Sequence, residues 1–411
     1  MDEVTTGRDT RILRGSTLKK SIILLICIII LSLSLSYIIG TNARDEKGGS
    51  QGLLKEVIPP VEEEPPTPPG SNRGIDAGRH VLEVNDESPH KISRREWWYF
   101  NVFFNDPKSD LKDWSMIVTF NKMARLDIRY LDRDSLFIIL FDDNDKCYSF
   151  NTLGKPRGTF KAEGAGVNLM FEKSWVKGRY PNWHVHAEYD LGDFIADLDF
   201  TADFMPVWVE GRSSNLPIGG YMAGDYYIPR CKVEGDIVWD GNEYKVFGVG
   251  YHDHVWESNI PRFVSRGWDW FNLHFENGWE MYISKFNLRR LRDVYAGAIV
   301  ISPNNRNLVE FMKFKLITVE SASPQELPSM LYPKKVRLEA ERDDMALTLD
   351  IQIYNNCEIV WKRARTGMFE GPCYATGTFS WSGHTVELNG YGFSEFTRVR
   401  YLLERPYLFI K

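Results

Sequence analysis

Basic charge, cysteine and helical patterning are all scarce in this 411-residue chain, and each shortage removes a class of protein. Lys plus Arg number 50 against 56 Asp plus Glu, a net charge of −6, so no basic excess is available to neutralise phosphates. A nucleic acid is excluded as a partner on that ground. Five cysteines occur, no two at C-x-x-C spacing, which excludes the usual structural zinc sites. There is no long apolar helical stripe and no short-period repeat. The 43% apolar content is too high for a disordered chain. What the chain holds in quantity is ring surface: 13 Trp, 19 Tyr and 24 Phe. Rings on that scale serve β-cores and apolar ligand pockets.

The one long uncharged run is Ser21 to Gly40, SIILLICIIILSLSLSYIIG. At about 1.5 Å per residue it spans a hydrocarbon core of about 30 Å, longer than the apolar stretch of a signal peptide. Arg8, Arg11, Arg14, Lys19 and Lys20 precede it, so the positive-inside rule puts residues 1–20 in the cytoplasm and everything after the run outside. The expectation is a single-pass cell-membrane protein with an extracytoplasmic main domain. Residues 41–74 carry IPPVEEEPPTPPG (Ile58 to Gly70), an extended and solvated spacer. Cys27 belongs to the anchor, and spacing does not settle how Cys147, Cys231, Cys357 and Cys373 would pair.

From residue 75 onward the chain reads as strands. Phe194 to Phe204 (FIADLDFTADF) and Leu347 to Ile353 (LTLDIQI) alternate apolar and polar residues, and Val167 to Phe171 does so over a shorter stretch. Turn signals separate such runs at Asp240-Gly241, Asn277-Gly278, Ser382-Gly383 and Asn389-Gly390. The fold class is all-β, mostly antiparallel, as a barrel or sandwich.

Three segments concentrate unusual residues. In Arg94 to Asn101, a strand puts Glu96, Trp98 and Phe100 on one face and Trp97, Tyr99 and Asn101 on the other, so both faces are covered. In Gly248 to Glu257, period two aligns His252, His254 and Trp256. A second H-x-H pair, His184 and His186, brings four of the eight histidines into the spacing that lets a strand supply two imidazoles to a metal. The third is a hairpin turning at Asn277-Gly278. A two-residue loop there places Asp269, Phe271, Leu273 and Phe275 on one face with Glu280, Tyr282, Ser284 and Phe286. Trp268, Trp270, Asn272 and His274 then lie opposite.

These segments resemble the carotenoid 1,2-hydratase (hydroxyneurosporene synthase) family and its AttH-like relatives. The similar stretches are Glu96-Trp97-Trp98-Tyr99-Phe100-Asn101, Gly219-Gly220-Tyr221-Met222, Tyr226-Tyr227-Ile228-Pro229-Arg230, Gly250 to Trp256, Gly267 to Phe271, Phe369-Glu370-Gly371 and Val386 to Tyr391. The resemblance implies two lipocalin-like antiparallel β-barrel domains, residues 75–258 and 259–411, with a crevice between or within them for an apolar, isoprenoid-like molecule. It points to His254 and Trp256 in an H-x-W motif, and to a Tyr and an Asp two residues apart. Tyr282 matches that Tyr, whereas the Asp position falls on Ser284.

Adding water to an alkene needs a proton donor and ring faces to hold the cation. A carboxylic acid in an apolar pocket stays protonated and can donate. Asp269, Tyr282 and His254 are accordingly the candidate catalytic residues. Trp256, Trp268, Trp270, Phe271, Trp98, Glu96, Asn101 and His252 are the candidate substrate contacts. No cofactor is expected. The leading expectation is a hydratase, isomerase or cyclase. The alternatives are a non-catalytic lipid-binding protein and a metal-dependent hydrolase built on His184, His186, His252 and His254. Metal analysis of the purified protein is expected to find no stoichiometric zinc or iron; a stoichiometric ion would favour the hydrolase.

Overall fold

Alternating strands need one covered face, and strands with rings on both sides need two. The computed structural model of the chain meets both demands with two curled antiparallel sheets. The structure describes residues 82–90, 93, 95–123, 133–144, 146–156, 159–189, 193–208, 214–216, 221–257, 265–288, 294–303, 307–361 and 365–399. The expected tail, anchor and spacer lie outside the described residues. No helix of the described residues is long and apolar enough to cross a membrane. Glu63–Leu216 and Tyr221–Lys411 form one compact unit that holds both sheets; the other unit, Met1–Glu62 with Pro217–Gly220, falls outside the described residues.

After a single-turn helix α1 (Val84–Glu87), the first sheet is built from β1 (Arg95–Phe103), β2 (Ser115–Met123), β3 (Arg133–Phe141), β4 (Cys147–Ser149), β5 (Thr152–Pro156), β6 (Phe160–Ala162), β7 (Val167–Phe171), β8 (Ser174–Arg179), β9 (Asn182–Tyr189), β10 (Phe194–Ala202), β11 (Val207–Trp208), β12 (Ser214–Leu216), β13 (Tyr221–Trp239) and β14 (Asn242–Glu257). Its order is β4-β3-β2-β1-β14-β13-β10-β9-β8-β7-β6. The second sheet comprises β15 (Ser265–Phe275), β16 (Glu280–Leu288), β17 (Val294–Ile301), β18 (Leu308–Phe311), β19 (Phe314–Ala322), β20 (Tyr332–Arg342), β21 (Met345–Ile353), β22 (Cys357–Trp361), β23 (Thr366–Trp381) and β24 (His384–Val399). Its order is β18-β17-β16-β15-β24-β23-β21-β20-β19.

Each sheet curls around its own core. Trp98, Phe100, Phe120, Trp183, Leu198 and Phe200 fill the first, and Phe271, Leu273, Ile283, Leu349, Phe369 and Phe396 the second. A third cluster, with Tyr99, Phe141, Tyr227, Tyr251, Trp270, Tyr282 and Phe393, joins the outer faces of the two sheets. The expected alternation is present: β10, β7 and β21 bury every second residue. Register shifts in β13 between Ile228 and Cys231 and in β15 between Ser265 and Gly267 add the local twist that helps long strands curl.

Two of the expected turns are two-residue loops. Asp240-Gly241 joins Trp239 to Asn242 and Ser382-Gly383 joins Trp381 to His384, all four turn residues with positive φ. The Asn277-Gly278 turn is longer than expected. Phe275 N–H donates to Trp279 O and Gly278 N–H to Phe275 O, both at 2.9 Å, so Glu276, Asn277 and Gly278 make a three-residue loop with Gly278 at φ 82°. One added residue slips the register by one and exchanges the faces. Asp269 pairs with Lys285 and Phe271 with Ile283, while Trp270 pairs with Ser284 and Asn272 with Tyr282. The expected common face of Asp269 with Tyr282, Ser284 and Glu280 therefore does not form. Nor is Asn389-Gly390 a turn. Gly390 lies inside β24 opposite Phe275, where a Cβ would meet the His274 carbonyl oxygen at 2.2 Å. Glycine is required there by the approach of two backbones.

These two glycines should respond differently to alanine. Gly278→Ala is expected to cost about 1 kcal/mol, the strain of a positive φ. Gly390→Ala must displace a backbone carbonyl and is expected to cost at least about 2 kcal/mol. Urea unfolding of the two variants checks the order.

Candidate functional site

β1 and the half of β14 that pairs with it, from Val249 onward, run side by side with both faces covered, so the parity of a residue decides which compartment its side chain enters. Glu96, Trp98 and Phe100 pair with Trp256, His254 and His252 and face the core of the first sheet. Trp97, Tyr99 and Asn101 on β1, with Tyr251 and Asp253 on β14, face the second sheet. The two faces hold different chemistry.

On the inner face, polar groups bind the chain's own Asp86, Glu87, His90 and Ser93. Glu96, fully buried, accepts from His90 N at 2.8 Å, Ser93 Oγ at 2.7 Å and Lys122 Nζ at 3.0 Å, and its Oε1 lies 2.9 Å from His90 Nδ1 and 3.1 Å from His254 Nε2. His254 Nδ1 donates to Asp86 O at 3.0 Å. Trp98 Nε1 donates to Glu87 O, and the Glu87 carboxylate accepts from Tyr180 N at 2.9 Å and Trp183 Nε1 at 3.0 Å. His90 stacks on Trp256 at 3.9 Å and Trp98 on His254 at 4.3 Å.

Burial alone would raise the Glu96 carboxyl, but the hydrogen bonds of His254 and His90 and the charges of His254 and Lys122 outweigh it and hold the group well below the usual carboxylate range. Burial pushes His254 down, with Glu96 opposing, and pushes His252 down to about 3, with the Tyr99 carbonyl opposing. Glu87 is pushed up to about 7 by burial, against the donors Tyr180 and Trp183.

His90, Glu96 and His254 offer three ligand atoms within 4.8 Å of one another. The Lys122 ammonium already stands at Glu96, and His254 Nδ1 is directed at a carbonyl, so the set works as an internal ion pair that locks Asp86, His90 and Ser93 to the sheet. The four-histidine grouping expected from the two H-x-H pairs does not form. His184 and His186 point away from the core-facing Trp183 and Val185 of β9 and bind Asp199 at 2.7 Å and Asp197 at 2.6 Å. His252 is sealed in the core, stacked on Phe100.

The face between the sheets is of another kind. A directional chain clamps it: Asn101 Nδ2 donates to Asn272 Oδ1 at 2.9 Å, Asn272 Nδ2 to His274 Nε2 at 3.2 Å, and His274 Nδ1 to Glu280 Oε2 at 2.6 Å. Arg230 Nε of the first sheet closes it on Glu280 Oε1 at 2.6 Å. Tyr282 Oη donates to Asp225 Oδ2 at 2.9 Å, and its ring stacks on Tyr227 at 4.4 Å.

Beside this clamp lie three acids: Asp253 on β14 and Glu370 on β23, both buried, and the half-buried Glu395 on β24, directly cross-strand from Glu370. Trp270, cross-strand from Glu395, meets the rings of Tyr99 and Tyr251 edge-on, each at 5.4 Å. Asp253 Oδ2 accepts from Tyr251 Oη at 2.8 Å, while Asp253 Oδ1 and Glu370 Oε2 have no hydrogen-bond partner among the described residues. Glu395 accepts from Trp268 Nε1 at 2.5 Å. Burial, reinforced by Asp225, holds the Asp253 carboxyl well above its ordinary value; burial and Glu395 do the same to Glu370. Glu395 is pushed up to about 7 by burial, against the Trp268 and Thr397 donors. Carboxylic acids that keep their protons among aromatic rings are equipped to donate them.

The structure thus divides the expected site residues. Tyr282, Trp268, Trp270 and Asn101 meet between the sheets. His254, His252, Trp256, Trp98 and Glu96 gather on the inner face of the first sheet, and Phe271 in the core of the second. Asp269 stands apart on the Phe271 face, ion-paired with Arg398 at 2.5 Å and bound by Asn287 at 3.1 Å, so its carboxylate is committed. Sequence reasoning gave no role to Asp253, Glu370 or Glu395. The signal for Asp253 was the parity of H-D-H itself, which sends the acid to the face opposite the two imidazoles.

The AttH-like family model matches residues 76–397. Among solved structures, the chain is similar to a protein described as AttH from Nitrosomonas europaea (17% identity, 77% of this chain and 97% of that one, TM-score 0.61). It is also similar to kievitone hydratase from Nectria haematococca (14% identity, 81% and 97%, TM-score 0.57) and to CghA with Sch210972 (10% identity, 79% and 94%, TM-score 0.57). At these identities the likeness is one of fold. No curated protein matches the chain.

Glu87 sets a pH dependence of stability. Its folded value of about 7 exceeds the ordinary 4.5, so the native state binds more protons between these limits and stability falls as pH rises through that window. Glu87→Gln, which keeps the acceptor oxygen, is expected to remove on the order of 2–3 kcal/mol of the loss between about pH 5 and 8. Denaturant melts at the two pH values measure it. A part of the fall remains, because the inter-sheet acids act in the same direction.

Proposed function

The chain belongs to the AttH-like family, and from that premise we propose that it is a hydratase-like enzyme working on a hydrophobic, alkene-bearing molecule of isoprenoid type. The site lies between the two sheets, at Asp253, Glu370, Tyr99, Tyr251, Tyr282 and Trp270. One observation supports this above the others: Asp253 is a buried carboxylic acid held protonated, with one oxygen lacking a hydrogen-bond partner among the described residues, beside Tyr99, Tyr251 and Trp270. The similarity in fold to kievitone hydratase agrees with the reaction class.

In the proposed step the Asp253 O–H bond breaks and the alkene π pair forms a C–H bond, leaving a carboxylate and a tertiary cation. The faces of Trp270 and Tyr99 attract that cation by about 0.5–2 kcal/mol each. A water lone pair then forms the C–O bond, and the proton it loses restores the Asp253 carboxyl, with Tyr251 as the relay at 2.8 Å. Tyr282, fixed by Asp225, borders the substrate. Asp269 and His254 take structural roles in this reading: one pairs with Arg398, the other holds the Asp86 carbonyl. We further place the chain in a membrane by residues 21–40, with the sheets on the outer side, where an apolar substrate partitions.

The test uses membranes carrying the full chain, incubated with the isoprenoid alkenes extracted from them, with a mass gain of one water as the readout. The chain and the activity are expected to stay in the pellet after an alkaline wash. Asp253→Asn is expected to lower turnover about 10²–10⁴-fold. An Asp253→Asn protein as active as the parent, with Asp269→Asn or His254→Ala inactive, would move the site to the other face. No conversion of any bound lipid would favour the binding-protein alternative.

A further inference from the structure

Cys147 opens β4 at the margin of the first sheet, and Cys357 opens β22 in the second. These two strands lie against each other, one of the places where the sheets touch. The two thiols are close enough to perturb each other's ionisation. Both cysteines belong to the inter-sheet cluster, Cys357 buried and Cys147 half-buried. The other two described cysteines are sealed in separate cores, Cys231 in the first sheet and Cys373 in the second. Of the pairings the sequence leaves open, the structure brings only this pair together among the described residues.

We infer that Cys147 and Cys357 are a redox-active pair whose disulfide staples the two sheets together beside Glu370. The inference goes beyond the proposed hydration and does not depend on it. The chemistry fits thiol–disulfide exchange with an oxidised low-molecular-weight thiol such as glutathione disulfide. Cys147, the sulfur that solvent reaches, loses its proton and attacks the glutathione disulfide. A Cys147–glutathione bond forms, and one glutathione leaves as the thiol after taking up a proton. Cys357 then attacks Cys147 Sγ and expels the second glutathione, so two protein thiols are oxidised and one disulfide is reduced.

The asymmetry of the pair suits this order. Cys147 is half-buried and Cys357 buried, so an oxidant from solvent meets Cys147 first. A buried thiol behind an accessible one is placed to resolve the mixed disulfide. Glu370 is cross-strand from Cys357, and negative charge on that sulfur helps to keep the Glu370 carboxyl protonated. Oxidation removes the charge, so the staple reaches the acids between the sheets.

The full chain, equilibrated with glutathione disulfide and then denatured and alkylated, is expected to show two fewer free thiols than its five cysteines allow. Non-reducing digestion should join the peptide of Cys147 to that of Cys357, and dithiothreitol should restore both. Cys357→Ser should stop at glutathionylated Cys147, while Cys147→Ser should form neither product. The inference is overturned if all thiols persist in the parent. It is equally overturned if the parent stops at the mixed disulfide or if the linked peptides carry Cys231 or Cys373. These readouts are independent of any turnover.

Discussion

Burial of both faces where β1 and β14 pair is the constraint from which the rest of the structure follows. A strand at the edge of a globule can send every second side chain into water; β1 and the half of β14 paired with it cannot. Each polar atom they carry must find a protein partner or stay uncharged. Both solutions occur, on opposite faces. On the inner face Glu96 is ionised and surrounded by His90, Ser93, Lys122 and His254. On the outer face Asp253 has one tyrosine donor and remains an acid. Two carboxyl groups on neighbouring strands are thus driven in opposite directions by their surroundings, the condition under which acid chemistry and an ion pair coexist in one sheet.

The clamp from Asn101 through Asn272 and His274 to Glu280 and Arg230 explains how the sheets meet without a purely apolar seam. Every bond has a defined donor and acceptor, so the registry of one sheet on the other is specified by direction as well as by shape. The aromatic pairs Tyr227–Tyr282 and Tyr251–Trp270 fill the space beside it. Part of the ring excess in the composition is spent on this second interface, beyond what two separate cores would need.

Much of this was legible in the sequence, and the failures have physical causes. Period-two alternation marks β7, β10 and β21 because one face of each meets water. The double coverage of Glu96 to Asn101 follows from rings at successive positions. The hairpin after Phe275 shows what a single turn residue does: Asn277-Gly278 suits a two-residue loop and a three-residue loop equally, and the choice turns every side chain of β16 over. Asn389-Gly390 looks like a turn because Gly serves both tight turns and close backbone contacts, which only the partner strand distinguishes. Glu370 and Glu395 face each other across the hairpin that turns at Ser382-Gly383, but Asp253 comes from β14, far back in the chain, and no spacing rule joins it to them. The histidines drew attention because H-x-H is a visible pattern; the actual work of His254, holding the segment of Asp86 to the sheet, depends on a contact more than 150 positions away.

The parity of β14 has a consequence for how such a protein can diversify. His252, His254 and Trp256 support the interior of one sheet, while Tyr251 and Asp253 line the seam between two, and the two sets alternate along one strand. Substitutions at one parity alter what the seam can bind or protonate while leaving the scaffold's interior as it was; substitutions at the other parity do the reverse. Heredity therefore has two nearly independent registers on a single stretch of chain. A lineage can explore new chemistry at every second residue without renegotiating the fold at the residues between.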